Sequence, residues 1–234
     1  MKKLFLLNIL IIVMLCNSCA NNNNTEKNEI TNPTIEVKKD LKKGIKFTNE
    51  QFYDAEGQFL EEKAKDALME MLAYHNYPIF DGLREKIWLT DYNQGNYAEL
   101  GLASIMFVNN EEDKYMLMDI FLLPGQMLGE HMHFAAEGNP VKMEGWLVRH
   151  GKSYIVGVGE NNRDQFPQVV VPQNHWEGKV TTNHIIEANE GDFASLVKAE
   201  SPHWQMAGPE GVVITEVGNV HTNSGVLRSD PKMN

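Results

Sequence analysis

Two histidines separated by one residue, His131 and His133, are the side chains of this chain best suited to binding a metal ion. Alternate residues of a β-strand point to the same face, so both imidazoles would lie on one side of a strand. A second predicted strand begins near Lys142 and places Lys142 and Glu144 on one face. Antiparallel pairing of the two strands can bring Glu144 beside the histidines. Two imidazoles and a carboxylate hold a divalent ion with coordination positions left open, which is typical of catalytic sites.

The spacing of these residues resembles the first motif of the cupin family, which is a glycine, five residues, His-x-His, a short spacer, a glutamate, six residues and a glycine. Gly125 and five further residues precede the histidine pair, and six residues separate Glu144 from Gly151. The spacer has ten residues instead of the family's three or four. Glu137 has the usual spacing, but the position seven residues later is not a glycine. We therefore interpret Glu144, rather than Glu137, as the ligand.

The resemblance also implies a fourth ligand, a histidine from a second motif nearer the C-terminus. His203 fits best because it follows a proline and precedes a long strand-forming run, whereas His175 and His184 lie nearer a polar loop. The alternative role for His203 is a buried histidine that is hydrogen-bonded in the core. The ion would be manganese, zinc, iron or nickel, and the complete ligand set would be His131, His133, Glu144 and His203.

Lys142-Met-Glu144 after the histidine pair is similar to the D-lyxose isomerase branch of cupins, whose pattern runs His-x-His-x-x-Lys-x-Glu. That branch interconverts aldoses and ketoses with a divalent metal. The resemblance therefore implies an enzyme that takes a monosaccharide and moves a proton between C1 and C2 through an enediol. Lys142 would stabilise the developing negative charge on oxygen. A lysine solvated at a strand end remains the alternative.

The general base is the least determined part of this hypothesis. Glu216 shares a strand face with the apolar Val212 and Ile214, so it is expected to point inwards, where burial would raise the pKa of its carboxyl. Glu130 is a second candidate. The alternative role for Glu216 is ion pairing with Arg149 or Arg228. The C-terminal segment that contains His221 and Arg228 could fold over the mouth of the barrel, and a structural role for these two residues is the alternative. Trp146 is expected to lie in the core, with stacking on a sugar as the alternative.

Other functions remain open, because a fold does not determine a reaction. One alternative is lyase, ring-opening or dioxygenase chemistry on sugars released from polysaccharides. Another is a non-catalytic cupin that binds a sugar or a metal at the cell surface. The acidic composition, with a net charge of −11, excludes most nucleic-acid-binding proteins, which need a basic face.

Hydrophobic periodicity predicts the elements that would position these residues. A helix is expected over Phe59–Tyr74 and a shorter one as far as Ile87, so helices occupy about residues 59–88. From Tyr97 the pattern changes to many short strands separated by turns, and the barrel should span about residues 97–217. The expected strands include Gln168–Val171, and the expected turns include His150-Gly151 and Gly208–Gly211. The predicted fold is all-β, a cupin double-stranded β-helix (jelly-roll barrel) with an N-terminal helical decoration. The strand Tyr115–Leu123 is apolar on both faces and would suit a homodimer formed through sheet edges.

The N-terminus predicts export. Lys2 and Lys3 precede an apolar run that is too short to span a bilayer, and Cys19 follows a small residue, as at a bacterial lipoprotein cleavage site. Residues 1–18 would be a signal peptide, Cys19 the lipidated first residue, residues 19–43 a disordered tether and residues 44–234 a single cupin domain. Simple secretion is the alternative. On the lipoprotein hypothesis the protein is held at the cell envelope, in the periplasm or on the cell surface, and contacts the membrane through its lipid alone.

Overall fold

The structure, a computed structural model, describes residues 44–234. The predicted signal peptide, the lipidation site Cys19 and the tether therefore lie outside the described residues. Two α-helices come first, α1 (Glu61–Tyr74) and α2 (Leu83–Lys86), close to the positions predicted from the sequence. Among the described residues, no helix is long and apolar enough to cross a membrane.

Strands make up most of the described chain and pair into one curled antiparallel sheet. In chain order they are β1 (Trp88–Thr90), β2 (Leu102–Asn110), β3 (Tyr115–Leu122), β4 (Met127–His133), β5 (Glu144–Gly157), β6 (His184–Asn189), β7 (Phe193–Ser195), β8 (His203–Gly218) and β9 (Val226–Arg228).

The long strand β8 gives the sheet its curl. One edge of β8 pairs with β5 along most of its length, whereas the other edge pairs first with β4 and then with β3. A strand that has two successive partners on one edge forces the sheet to fold back on itself and to enclose an interior. This arrangement is a double-stranded β-helix, so the predicted fold class is confirmed.

The alternation of residues along β8 separates two apolar layers. Val213 points outwards and packs with Leu68 and Met71 of α1, which lies against the outside of the sheet. Ile214 points inwards and packs with Trp146 of β5 in the barrel interior. Glu216 has the same parity as Ile214, so its side chain also points inwards. The prediction of an inward-pointing Glu216 therefore agrees with the structure.

The structure corrects several predicted strand boundaries. The predicted breaks at His150-Gly151 and at Gly208–Gly211 are irregularities inside β5 and β8, because Gly151 and Gly211 take positive φ angles and the pairing continues past them. The predicted strand over residues 168–171 is irregular chain. The strands β1 and β9, which lie next to the cavity, were not predicted.

The proposed dimer edge is also wrong as stated. The strand β3, which was expected to offer a free edge, pairs with β2 on one side and with β8 on the other. Its backbone groups are therefore already used within the chain, and its apolar residues on both faces reflect burial inside the sheet. A homodimer would have to use another surface.

Candidate functional site

Three strands bring the predicted metal ligands together at one place inside the barrel. His131 and His133 lie on β4, Glu144 begins β5, and His203 begins β8. The pairing of β4 with β8 places His131 opposite His203, and the centroids of these two rings are 4.3 Å apart. This strand pairing brings His203, rather than His175 or His184, next to the histidine pair.

The ligand atoms of these four residues lie within 4.8 Å of one another. Oε1 of Glu144 is 3.1 Å from Nε2 of His133 and 2.7 Å from Nε2 of His203. Three of the residues are almost completely buried, and His131 is partly buried. The four side chains thus form one compact group, and its three histidines line a cavity.

Backbone hydrogen bonds orient two of the imidazoles. Nδ1 of His131 donates to the carbonyl oxygen of Gly129 at 2.9 Å, and Nδ1 of His203 donates to that of Ser201 at 3.0 Å. A carbonyl oxygen can only accept, so the proton of each neutral ring is on Nδ1 and Nε2 carries a lone pair. Histidines that bind metals are held in this way in proteins.

Four buried atoms at the centre of the group have no hydrogen bond of normal geometry in spite of their short contacts. They are Nε2 of His133, Nε2 of His203 and both carboxylate oxygens of Glu144. Buried polar atoms without hydrogen bonds are costly, and a divalent cation would satisfy all four at once. The donor set of three imidazoles and one carboxylate therefore fits a transition-metal ion.

The protonation states also suit metal binding, which needs neutral imidazoles and an ionised carboxylate. Burial holds the pKa of His131 well below its ordinary value. Burial alone would raise the pKa of Glu144, but the ammonium of Lys142 and the close contacts with the His133 and His203 imidazoles together bring it well below its usual range. His203 is the exception, because the Glu144 carboxylate raises its pKa against the effect of burial.

A buried lysine and a second glutamate lie beside the group. Nζ of Lys142 is 2.5 Å from Oε2 of Glu144 and 2.5 Å from Oε1 of Glu216. The other oxygen of Glu216 accepts a hydrogen bond from Nε1 of Trp146 at 3.0 Å. Lys142 is 5% exposed, so the alternative of a solvated strand-end lysine is wrong. The partner of Glu216 is Lys142, and neither Arg149 nor Arg228 forms an ion pair with it among the described residues.

The environment shifts the ionisation of this pair. Burial raises the pKa of Glu216 to about 7, although the ammonium of Lys142 opposes the rise. Burial lowers the pKa of Lys142, but the carboxylates of Glu216 and Glu144 outweigh it and hold that pKa above its ordinary value. A carboxyl whose pKa is near neutrality can both accept and return a proton.

A cavity of about 610 Å³ lies beside this group and has both polar and apolar lining residues. Its polar lining includes His131, His133, His203, Lys142 and Glu216. Trp88, Tyr92 and Arg228 lie in its wall, with the Arg228 guanidinium 5.4 Å from the centre of the Tyr92 ring. The apolar lining includes Leu102, Met106, Met118, Ile120, Leu128 and Val226. The sequence analysis missed Trp88 and Tyr92, which no local spacing links to the histidines.

The C-terminal segment closes part of the cavity, as the sequence analysis expected. The strand β9 pairs with β4, and this pairing sets Arg228 opposite His131. The ring centroid of His221 is 6.2 Å from that of His133. The segment thus adds three nitrogen-bearing side chains, those of His221, Asn223 and Arg228, to the cavity wall.

Several other candidates lie outside the group. Glu137 is exposed in the loop between β4 and β5 and accepts a hydrogen bond from Ser224. Nε2 of His175 accepts from the backbone of Glu130, and Nδ1 of His184 contacts the carbonyl oxygen of Glu160. Glu130 is fully buried, and its carboxylate accepts from the backbone and side chain of the loop before β6, so its expected role as a base is not supported.

Three relatives of known activity resemble this chain over most of their length. The chain is 29% identical over 174 residues to a D-lyxose/D-mannose isomerase of Thermosediminibacter oceani, a match that covers 74% of this chain and 91% of that protein. It is 29% identical over 171 residues to a D-lyxose ketol-isomerase of Cohnella laeviribosi, covering 73% and 91%. A D-lyxose ketol-isomerase of a Thermofilum species is 26% identical over 174 residues, covering 74% and 93%.

No family model matches the chain. Among solved structures, a mutant of the oxalate decarboxylase of Bacillus subtilis superposes with a TM-score of 0.39 at 18% identity, over 56% of this chain and 29% of that one. All three relatives are isomerases, which confirms the expectation that the protein is an enzyme.

Proposed function

We propose that the protein is an exported, metal-dependent isomerase that interconverts the aldose and ketose forms of a small sugar, with D-lyxose as the first candidate substrate. The observation that carries this proposal is the buried group of His131, His133, Glu144 and His203 beside the Lys142–Glu216 pair in one cavity. The names of the three relatives support the choice of sugar.

Each side chain has a task in this chemistry. A divalent ion held by the four ligands would supply a Lewis acid and a template for adjacent sugar oxygens. Glu216, as a carboxylate, would take the proton from C2 of the open-chain aldose to give the enediol and would then deliver a proton to C1. The hydroxyl proton of O2 would move to O1 in the same conversion, so the enzyme ends in its starting protonation state. Lys142 would donate a hydrogen bond to the oxygen that gains negative charge in the enediol.

The other residues of the cavity would orient the base and the sugar. Trp146 fixes the Glu216 carboxylate through its indole N–H, so the base does not have to reorganise during the reaction. The polar lining residues would orient the hydroxyl groups of the sugar. A volume of about 610 Å³ lies within the range of small-molecule sites.

The cellular location is part of the same proposal. The apolar run after Lys2 and Lys3 and the small residue before Cys19 support export and lipid attachment. The enzyme would then work at the cell envelope on sugars that are present outside the cytoplasm.

The proposal is tested by metal analysis followed by a sugar assay in D2O. The metal-loaded protein should convert D-lyxose to its ketose and leave carbon-bound deuterium in the product, because an enediol exchanges its proton with solvent. NMR spectroscopy measures both conversion and labelling. Conversion without labelling would contradict the role of Glu216, and a protein that converts no aldose or ketose in a broad panel would contradict the proposed function.

A further inference from the structure

A second group of two imidazoles and a carboxylate lies outside the cavity. His75 is the residue that follows α1, His150 lies in β5, and Glu190 is in the turn between β6 and β7. One ligand atom from each of these residues lies within 4.8 Å of the others. None of the three lines the cavity described above. We propose that His75, His150 and Glu190 form a second metal site, selective for zinc-like ions, that joins α1 to the barrel.

The distance between two of the candidate ligand atoms is slightly longer than it would be around a bound zinc ion. Nδ1 of His150 is 3.9 Å from Oε1 of Glu190. Tetrahedral Zn²⁺ with bonds of about 2.0–2.1 Å places neighbouring ligand atoms about 3.3 Å apart. The remaining shift is small, and the Glu190 side chain is 61% exposed. Water can complete the coordination from the solvent side.

Hydrogen bonds already orient two of the three ligands. Nε2 of His75 donates to the carbonyl oxygen of Glu210 at 2.8 Å, which leaves the lone pair of the neutral ring on Nδ1. Oε1 of Glu190 accepts from the backbone N–H of Gly151 at 3.0 Å. Outer contacts of this type hold metal ligands in position and increase affinity.

The burial of His75 indicates that these three residues are not a random cluster on the surface. It is only 7% exposed although it ends a helix, and its ring stacks on that of His150 with centroids 5.8 Å apart. An ion at this place would link the end of α1 to two separate parts of the barrel. Two imidazoles with one carboxylate favour zinc, nickel or copper over magnesium or calcium, which prefer oxygen ligands.

The test counts bound Zn²⁺ per full chain after equilibration with Zn²⁺ alone. The wild type should hold one ion more than His150→Gln, and Glu190→Gln should weaken binding of that ion about tenfold or more. Glu144→Gln should keep it, because Glu144 belongs to the first group. His184→Gln is the matched control on the same sheet and should bind as the wild type does. Circular dichroism checks that each variant is folded, and Glu190→Gln, at an exposed position, keeps the test valid if His150→Gln fails to fold.

A Zn²⁺ count that is equal in the wild type, His150→Gln and Glu190→Gln would overturn the proposal. Loss of the second ion in His184→Gln would overturn it as well, because the ion would then lie elsewhere. The absorption of bound Co²⁺ gives a readout independent of activity, since tetrahedral coordination produces intense visible bands. The bands from the second ion should disappear in His150→Gln and persist in His184→Gln.

Discussion

Glu144 is the residue on which the buried group depends. Its carboxylate contacts His133, His203 and Lys142, and it has no other charge-neutralising partner among the described residues. Glu137, the alternative with the more usual spacing, is exposed and bonded to a serine of the C-terminal segment. The two glutamates therefore form a matched pair for testing the ligand assignment.

We expect Glu144→Gln to lower metal occupancy about tenfold or more, because the amide removes the anionic ligand, while Glu137→Gln leaves occupancy close to that of the wild type. Elemental analysis after dialysis against a limiting concentration of metal measures both. The reverse order would show that the ligand lies in the loop between β4 and β5, and the register of this hairpin would then be wrong.

The Glu216→Gln variant tests whether Glu216 is the general base. The amide keeps the shape of the side chain but cannot take a proton, so kcat should fall about 10²–10⁴-fold with metal content and KM little changed. Steady-state kinetics on the proposed sugar measure this split. Glu187→Gln, which removes a carboxylate from an exposed ion pair with Lys152, is the control and should keep its kcat. An unchanged kcat in Glu216→Gln would exclude this residue as the base.

The Lys142→Met variant does not isolate the catalytic role of Lys142 from its role in stability. Lys142 is buried between two carboxylates, so its removal leaves negative charges uncompensated as well as removing a donor. Breaking a buried ion pair in this way costs about 3–5 kcal/mol. A loss of activity in that variant would therefore mix a loss of stability with a loss of transition-state stabilisation.

At the scale of elements, one buried carboxylate fastens the loop before β6 to the strand that carries the histidine pair. Glu130 lies on β4 and accepts hydrogen bonds from the backbone of Thr181 and from both the backbone and the hydroxyl of Thr182. His131 and His133 point to the other face of the same strand. Glu130 thus fixes the position of β4 without facing the cavity.

We expect Glu130→Ala to lower the free energy of unfolding by about 2–4 kcal/mol, because buried donors lose a charged acceptor. Urea unfolding measures the loss, and Glu137→Ala, at an exposed position, is the control. The kcat of the folded fraction should stay within a small factor of the wild type. A large decrease in kcat without a loss of stability would instead make Glu130 a candidate base again.

At the scale of the whole molecule, the barrel has the buried group of three histidines and Glu144 inside and α1 packed against its outer face. The predicted tether contains four consecutive asparagines and few apolar residues, so it has little to bury. A tether of that kind would let an anchored enzyme keep its cavity open to solvent.

Cys19→Ala tests the anchor. The variant should move from the membrane fraction to the soluble fraction, or remain unprocessed, because Cys19 would no longer be available for lipid attachment. Fractionation and mass spectrometry of the N-terminus measure the change. A wild-type protein that is soluble and begins at an unmodified residue other than Cys19 would contradict the lipoprotein hypothesis.

The sequence by itself determined the parts of this protein that depend on local periodicity. The alternation of strand residues placed His131 and His133 on one face. The resemblance to the cupin motif, in which six residues separate the glutamate from a glycine, favoured Glu144 over Glu137. The change from helical to alternating patterns predicted an outer helix and a β-barrel, and both are present. These features involve residues close together in the chain, so short-range geometry is enough to predict them.

Tertiary structure alone decided which distant residues meet. The pairing of β8 with both β4 and β3 set His203 opposite His131, and the pairing of β8 with β5 set Glu216 within reach of Lys142. The same closure brought Trp88 and Arg228, from opposite ends of the described chain, into one cavity wall. The physical reason is that strand register over such separations is determined by the cooperative packing of the whole sheet, which no local pattern specifies.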